Sequence, residues 1–164
     1  LKIWRLIKVN NIFDFVKFGD FENLKKYINI ENINKVNEFG FGLLHYSISR
    51  NSFDITKYLI ESGINLDLMH LERNTALHYV CNTQNIEIAK LLLEKGADLS
   101  IRNKYGNNAM WTAVFNCKGK YYDMVELFMK YNPDIITKNK VGKSPLDFAI
   151  QVENSNLIDI LTKS

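Results

Sequence analysis

The chain has 164 residues, enough for one compact domain or one short array of repeats and too few for two ordinary domains. Hydrophobic residues at 46% and charged residues at 24% exclude disordered and fibrous classes. A net charge of +3, split as +1 and +2 about Asn82, sets no basic tail aside for nucleic acid. No apolar run approaches the roughly 18 residues of a membrane span, and no signal-peptide core follows the start; a cytoplasmic protein is expected. Cys81 and Cys117 form no Cys-x-x-Cys pair, which argues against a disulfide framework or a zinc finger. Two prolines and eight glycines leave room for helices and argue against an all-β meander.

In chain order, residues 1–33 carry several aromatic residues (Trp4, Phe13, Phe15, Phe18), and Gly19 to Ile28 reads as a helix start followed by an amphipathic helix. Over 34–66, Gly40 suits a reversing turn, Gly42-Leu43-Leu44-His45-Tyr46 opens a helix, and Asp54 to Ile60 places apolar residues on one face of a second. Residues 67–99 repeat this plan at a step of 33: Thr75-Ala76-Leu77-His78-Tyr79 falls on Gly42 to Tyr46, Ile88 on Ile55, Leu92 on Leu59 and Gly96 on Gly63. A third copy, 100–135, has Gly106 at the turn and Trp111 where His stood, and three extra residues between Cys117 and Tyr122 move the register to 36. The last copy, 136–164, opens with Gly142-Lys143-Ser144-Pro145 and ends in its second helix as a truncated cap. Thr75 and Ser144 stand where a helix N-cap hydroxyl belongs, Pro145 at the first helical position, and Gly63 and Gly96 where a left-handed residue closes a helix. Arg73 occupies the turn position filled elsewhere by Gly40, Gly106 and Gly142.

A period of 33 with a Thr-Ala-Leu-His opening and the close Leu91-Leu92-Leu93-Glu94-Lys95-Gly96-Ala97-Asp98 resembles the ankyrin repeat. The resemblance implies an all-α solenoid of five helix pairs joined by β-turn hairpins, as a single domain over 1–164. Gly42, Arg73, Trp111 and Asp147 depart from the family pattern.

Candidate chemistry has structural competitors at every point. His45 and His78 are expected to tie one turn to its neighbour through ring N–H bonds, not to share a metal. Gly40-x-Gly42 lacks a Walker lysine and is explained by the turn. Cys117, near Lys118 and Lys120, is expected to be a surface thiol without a catalytic relay. Tyr121 and Tyr122 are expected to extend the second helix of their unit. No catalytic, cofactor or metal site is expected.

What the resemblance implies is protein binding through the hairpin tips and the exposed side of the first helices. Carried onto this sequence, those positions are Val36, Glu38, Phe39, Phe41, Ser49 and Arg50; Met69, Leu71, Glu72, Asn74, Asn82 and Thr83; Arg102, Lys104, Tyr105, Asn107, Phe115 and Asn116; and Lys138, Lys140, Val141 and Lys143. Large apolar residues on polar turns fit either a shared interface or the packing of one tip on the next. Formal charge over successive tips runs −1, 0, +2 and +3, which fits either solvated lysines or a partner with an acidic patch opposite the C-terminal hairpins. The expected protein is a monomeric, non-catalytic binder. Acting by occupancy, it would inhibit or sequester its partner, a bacterial toxin-immunity protein being one form, with a docking subunit or host-directed effector as the alternative.

Overall fold

In the computed structural model, which describes residues 11–163, ten helices follow one another. They are α1 (Ile12–Phe18), α2 (Phe21–Tyr27), α3 (Leu43–Ser49), α4 (Phe53–Glu61), α5 (Ala76–Thr83), α6 (Ile86–Glu94), α7 (Ala109–Asn116), α8 (Asp123–Met129), α9 (Pro145–Gln151) and α10 (Ser155–Thr162). Each odd-numbered helix packs on the even one that follows it, so the chain is a row of helix pairs. Between pairs, α1, α3, α5, α7 and α9 stack in one layer and α4, α6, α8 and α10 in the other. Among the described residues there is no strand, only an isolated antiparallel bridge between Val36 and Gly42. The fold is therefore the all-α solenoid that the repeat period implies. Trp4 lies outside the described residues.

Local chemistry explains where the helices begin and end. The Ser144 hydroxyl accepts the Asp147 N–H at 3.0 Å, and the Asp147 carboxylate accepts the Ser144 N–H at 3.0 Å, a reciprocal cap that satisfies two donors a helix start leaves orphaned. Pro145, first in α9, has no donor to satisfy. Asn11, Asn85, Asn108 and Asn154 cap α1, α6, α7 and α10 through their side-chain oxygens.

The second helices bury the stripe that their periodicity marks: Ile55, Leu59 and Ile60 in α4, Ile88, Ala89, Leu92 and Leu93 in α6, and Met124, Val125, Leu127 and Phe128 in α8. Lys57, Glu61, Glu87, Lys90 and Glu126 line the solvent side. α10 has eight residues, between the seven of α8 and the nine of α6.

Two local expectations are corrected. Cys117 is buried, not a surface thiol: it closes α7, its S–H donates to the Val114 carbonyl at 3.1 Å, and burial pushes the thiol pKa up. Tyr121 and Tyr122 do not extend the helix either, since α8 begins at Asp123. The Tyr122 hydroxyl instead lies 2.7 Å from the Gly119 carbonyl and 3.1 Å from the Asn154 side-chain oxygen. One hydroxyl proton serves one of these two acceptors at a time. The inserted residues thus reach the cap of α10 in the next pair.

Leu92 and Phe128 have no exposed surface, so truncating either to Ala is expected to cost about 2–5 kcal/mol. Denaturant melts test this, and near-wild-type midpoints for both would mean that the helix faces are assigned the wrong way round.

Candidate functional site

The tips share one backbone design. Asn37, Asn103 and Asn139 each accept two N–H groups on one side-chain oxygen, from Phe39 and Phe41, from Tyr105 and Asn107, and from Val141 and Lys143, all at 3.0–3.1 Å. Three residues on, Gly40, Gly106 and Gly142 take φ of +74°, +79° and +75°. An Asn-x-x-Gly pattern at 37, 103 and 139 therefore builds the turn, a signal present in the sequence beside the glycines that were recognised.

Successive tips are stitched together, and the stitching uses residues expected to face a partner. The Lys104 N–H donates to the Glu72 carbonyl at 2.8 Å and the Lys140 N–H to the Tyr105 carbonyl at 3.0 Å. Asn103 donates its amide to the Asn74 side chain at 2.9 Å, and Asn139 to that of Asn107 at 2.7 Å. Lys104 pairs with Glu72, and that hydrogen bond holds the exposed Glu72 carboxyl below its ordinary pKa. Arg102 pairs with Asp134 at 2.8 Å and donates to the Gly106 carbonyl at 3.0 Å. Glu72, Asn74, Arg102, Lys104 and Asn107 are thus engaged within the array. The graded charge contracts accordingly: both cations of the third tip have carboxylate partners, and the ion pairs of the described residues leave Lys138, Lys140 and Lys143 unpaired.

The seam between the first two tips is built differently. Phe41 stands where Asn74 and Asn107 stand later, and His70 where Asn103 and Asn139 stand. In place of an amide bond their rings pack with centroids 4.1 Å apart, which leaves Phe41 half-buried instead of fully presented on its tip. His45 and Tyr79 complete the cluster, 5.2 Å from one another and 6.4 and 6.1 Å from His70. Arg73 replaces the turn glycine at φ +61°. Leu71 leans back onto Gly40, where a Cβ would come within 2.6 Å of the Leu71 Cγ.

Histidines at equivalent positions behave differently in the two environments. His78 Nδ1 accepts the Thr75 N–H at 3.2 Å and lies 3.0 Å from the Thr75 hydroxyl, which puts the ring proton on Nε2, 3.0 Å from the Asn107 carbonyl of the next tip. This is the expected structural tie. His45 departs from it: backbone groups of Leu68 and Asn74 lie close enough to soften its pKa shift, yet among the described residues neither buried ring nitrogen has a hydrogen bond of ordinary geometry. Burial, reinforced by His70, lowers its pKa to about 4. His70 is the neighbour that the sequence reading missed; its signal was the joint replacement of Asn, Asn and Gly by Phe41, His70 and Arg73 at one seam. Among the described residues the Trp111 indole N–H has no partner, and the ring stacks on Phe115 at 5.4 Å, with Phe148 5.7 Å away. Asp147, at the same position in the last unit, serves the cap instead.

What remains at the surface is a row of side chains on the tips and one helix face. Glu38, Phe39, Met69, Leu71, Tyr105, Val141, Lys138, Lys140 and Lys143 are exposed along the tips, and Arg50 and Phe115 at the ends of α3 and α7. Among the described residues no group of three or more His, Cys, Asp or Glu side chains could hold a metal ion, and no helix is long and apolar enough to cross a membrane.

The family model of ankyrin repeats, three copies, matches residues 12–103. The chain belongs to the ankyrin-repeat family. The match covers more than half of the sequence and ends at the third tip, just before Asn108, Trp111 and the three-residue insertion depart from the pattern. No curated protein matches the chain. Ankyrin repeats generally mediate protein–protein interaction and are typically non-catalytic, so the exposed row, not a catalytic cleft, is the candidate site.

Two expected outcomes follow from the irregular seam. A His45 pKa lowered to about 4 means that the unfolded chain takes up a proton near pH 6.5 that the native state refuses. The stability is present above that pH and is lost as pH falls through the native value. This group alone is expected to remove about 3 kcal/mol between neutral pH and pH 4, with His70, His78 and Tyr79 the titratable groups around it. Urea melts of the wild type and His45→Leu across that range test it, and parallel pH profiles would refute it. Arg73→Gly is expected to stabilise by about 1 kcal/mol by relieving a left-handed backbone; an unchanged or lower melting temperature counts against strain there.

Proposed function

We propose that the chain is a non-catalytic binder that holds another protein against the tip row and the adjoining ends of the first helices, with inhibition or sequestration as the direct consequence of occupancy. The observation that carries this reading is the division of labour on the tips. Their polar groups are largely engaged from one unit to the next, whereas Phe39, Leu71 and Tyr105 keep 62%, 75% and 51% of their surface exposed. Large apolar side chains held on a rigid backbone lose little conformational entropy on binding and suit interface anchors. Met69, exposed on the second tip, and Arg50 and Phe115, exposed at the C-terminal ends of α3 and α7, would add secondary contacts. Glu38 at one end and Lys138 and Lys140 at the other give the row a polarity that an oppositely graded partner would match.

The triple variant Phe39→Ala, Leu71→Ala, Tyr105→Ala is expected to melt close to wild type, because exposed side chains lose few buried contacts. Affinity capture with the wild type should yield a protein that the variant fails to retain. Calorimetry on that pair should then show a loss of about 2 kcal/mol or more at any single hot spot. If the variant binds normally and unfolds early, the tips serve only to hold the units together.

A further inference from the structure

A pocket of about 270 Å³ opens between the fourth and fifth helix pairs, where α7 ends and the inserted residues begin. Its walls come from two adjoining pairs inside the array. The buried Val114, Cys117 and Leu157 lie beneath it, and Phe115 and Val152, 53% and 48% exposed, stand at its mouth. One junction earlier the same register is polar and tied: Asn116 donates its amide to the Asn82 side chain at 2.8 Å and to the Cys81 carbonyl at 3.3 Å. Phe115 stands where Asn82 stood, and Val152 where Asn116 stood. At the seam that follows the three-residue insertion, two apolar side chains have therefore replaced an amide tie.

The pocket is held in shape from both sides. Trp111 stacks on Phe115 with the ring planes 14° apart, and Phe148, also lining the pocket, lies 5.6 Å from Phe115. Lys118 and Gly119 take left-handed φ of +49° and +72°, and the Lys120 and Tyr121 N–H groups both donate to the Cys117 carbonyl, at 3.0 and 2.9 Å. The lining side chains leave only donors unengaged. The Cys117 S–H is given to the Val114 carbonyl, and the Asn154 side-chain oxygen accepts the Leu157 N–H at 3.0 Å. What remains is the Asn154 amide and the Lys118 ammonium. Among the described residues Lys118 has no ion pair: Asp123 and Glu153, the carboxylates nearest to it along either wall, make none with it.

We infer that this pocket receives one large apolar side chain of a protein partner, carried beside a carboxylate. The side chain displaces water from Phe115, Phe148 and Val152, and the carboxylate meets the donors at the edge, Lys118 first. The exposed mouth selects a protein over a free small molecule. A molecule that only filled the pocket would leave Phe115 and Val152 in water, whereas the chain on either side of an anchoring residue covers them. The inference rests on the protein-binding reading above, and not on the tip row.

The test is nuclear magnetic resonance on the full chain with labelled Ile, Leu and Val methyls, titrated with a short capped peptide that places Phe next to Asp. This peptide is expected to shift the Val114, Val152 and Leu157 methyls saturably and to leave those of Ile48 and Leu71 in place. Ala in place of the peptide's Phe should abolish the shifts, and Lys in place of its Asp should weaken binding about threefold. Lys118→Glu, an exposed change, should reverse that charge preference. Phe115→Asn with Val152→Asn, which restores the polar pair of the preceding junction, should keep the fold and weaken binding about tenfold or more. Absence of a saturable shift, equal binding of the Asp and Lys peptides to the wild type, or shifts confined to the tip methyls would each overturn the proposal. So would phenylbutyrate saturating the pocket at a lower concentration than the peptide, since a free acid would then be the occupant. The Phe39, Leu71 and Tyr105 substitutions leave every lining residue in place, so a failure of the tip row and a failure of the pocket are told apart.

Discussion

No helix pair in this chain can bury both of its layers alone, and its architecture depends on each pair lending a face to the next. Leu77, Met110 and Ala149 are all but inaccessible because a neighbouring first helix lies over them, and Leu59, Leu92 and Phe128 because a neighbouring second helix does. The free energy of such an array is close to a sum of nearest-neighbour terms. Anything that fixes the spacing of adjacent units then acts on all of the buried surface between them. The tips do this work at the edge of the stack, where a backbone bond such as Lys104 to Glu72 and an amide bond such as Asn139 to Asn107 set the distance at which the helices behind them meet.

Because that constraint is geometric, different chemistry can meet it. At later seams it is met by amide bonds that add little net energy but match the tip amides to one another. At the first it is met by stacked rings, Phe41 on His70, at the cost of a histidine, His45, held neutral and without good partners. The same exchange explains Arg73: once the Asn turn is lost the backbone still reverses, and the left-handed position is filled without a glycine. Acid sensitivity is shared by the aromatic seam over His45 and by the next seam, which His78 ties to Asn107 and where burial lowers the His78 pKa as well.

How much of this could be read in the sequence follows from the range of the interactions. The period of 33, the N-cap residues Thr75 and Ser144, Pro145 in the first turn, and the helix-closing Gly63 and Gly96 are local signals with local causes, and the helices stand where those signals put them. The apolar stripe of the second helices was equally legible, because periodicity alone decides which side is covered. The tip residues were harder. Glu72, Asn74, Arg102 and Asn107 have the composition of an interaction surface, and only the approach of positions 29 to 36 apart in the chain turns them inward. Cys117 misled for a related reason. Charged neighbours suggested a surface thiol, while the side chain turns inward at the end of α7 and donates to the Val114 carbonyl. A repeat alignment read for replacements that occur together at one seam, as Phe41, His70 and Arg73 do, would have marked the irregular junction.

This inward use of polar groups also decides what kind of recognition the surface can perform. An ordinary polar turn has spare donors and acceptors, and a partner can bond to them directly. Here the side-chain oxygens of Asn37, Asn103 and Asn139 are saturated by their own turns, and Glu72 and Arg102 by neighbours. A partner meeting this row finds rings and aliphatic chains at Phe39, Leu71 and Tyr105 and ammonium groups at the C-terminal tip, with few free hydrogen-bond groups between them. Affinity then depends on burying apolar area, and orientation on where the unpaired lysines find carboxylates. The stitching that holds the tips together would therefore confine the specificity of the proposed tip-row interface to shape and charge.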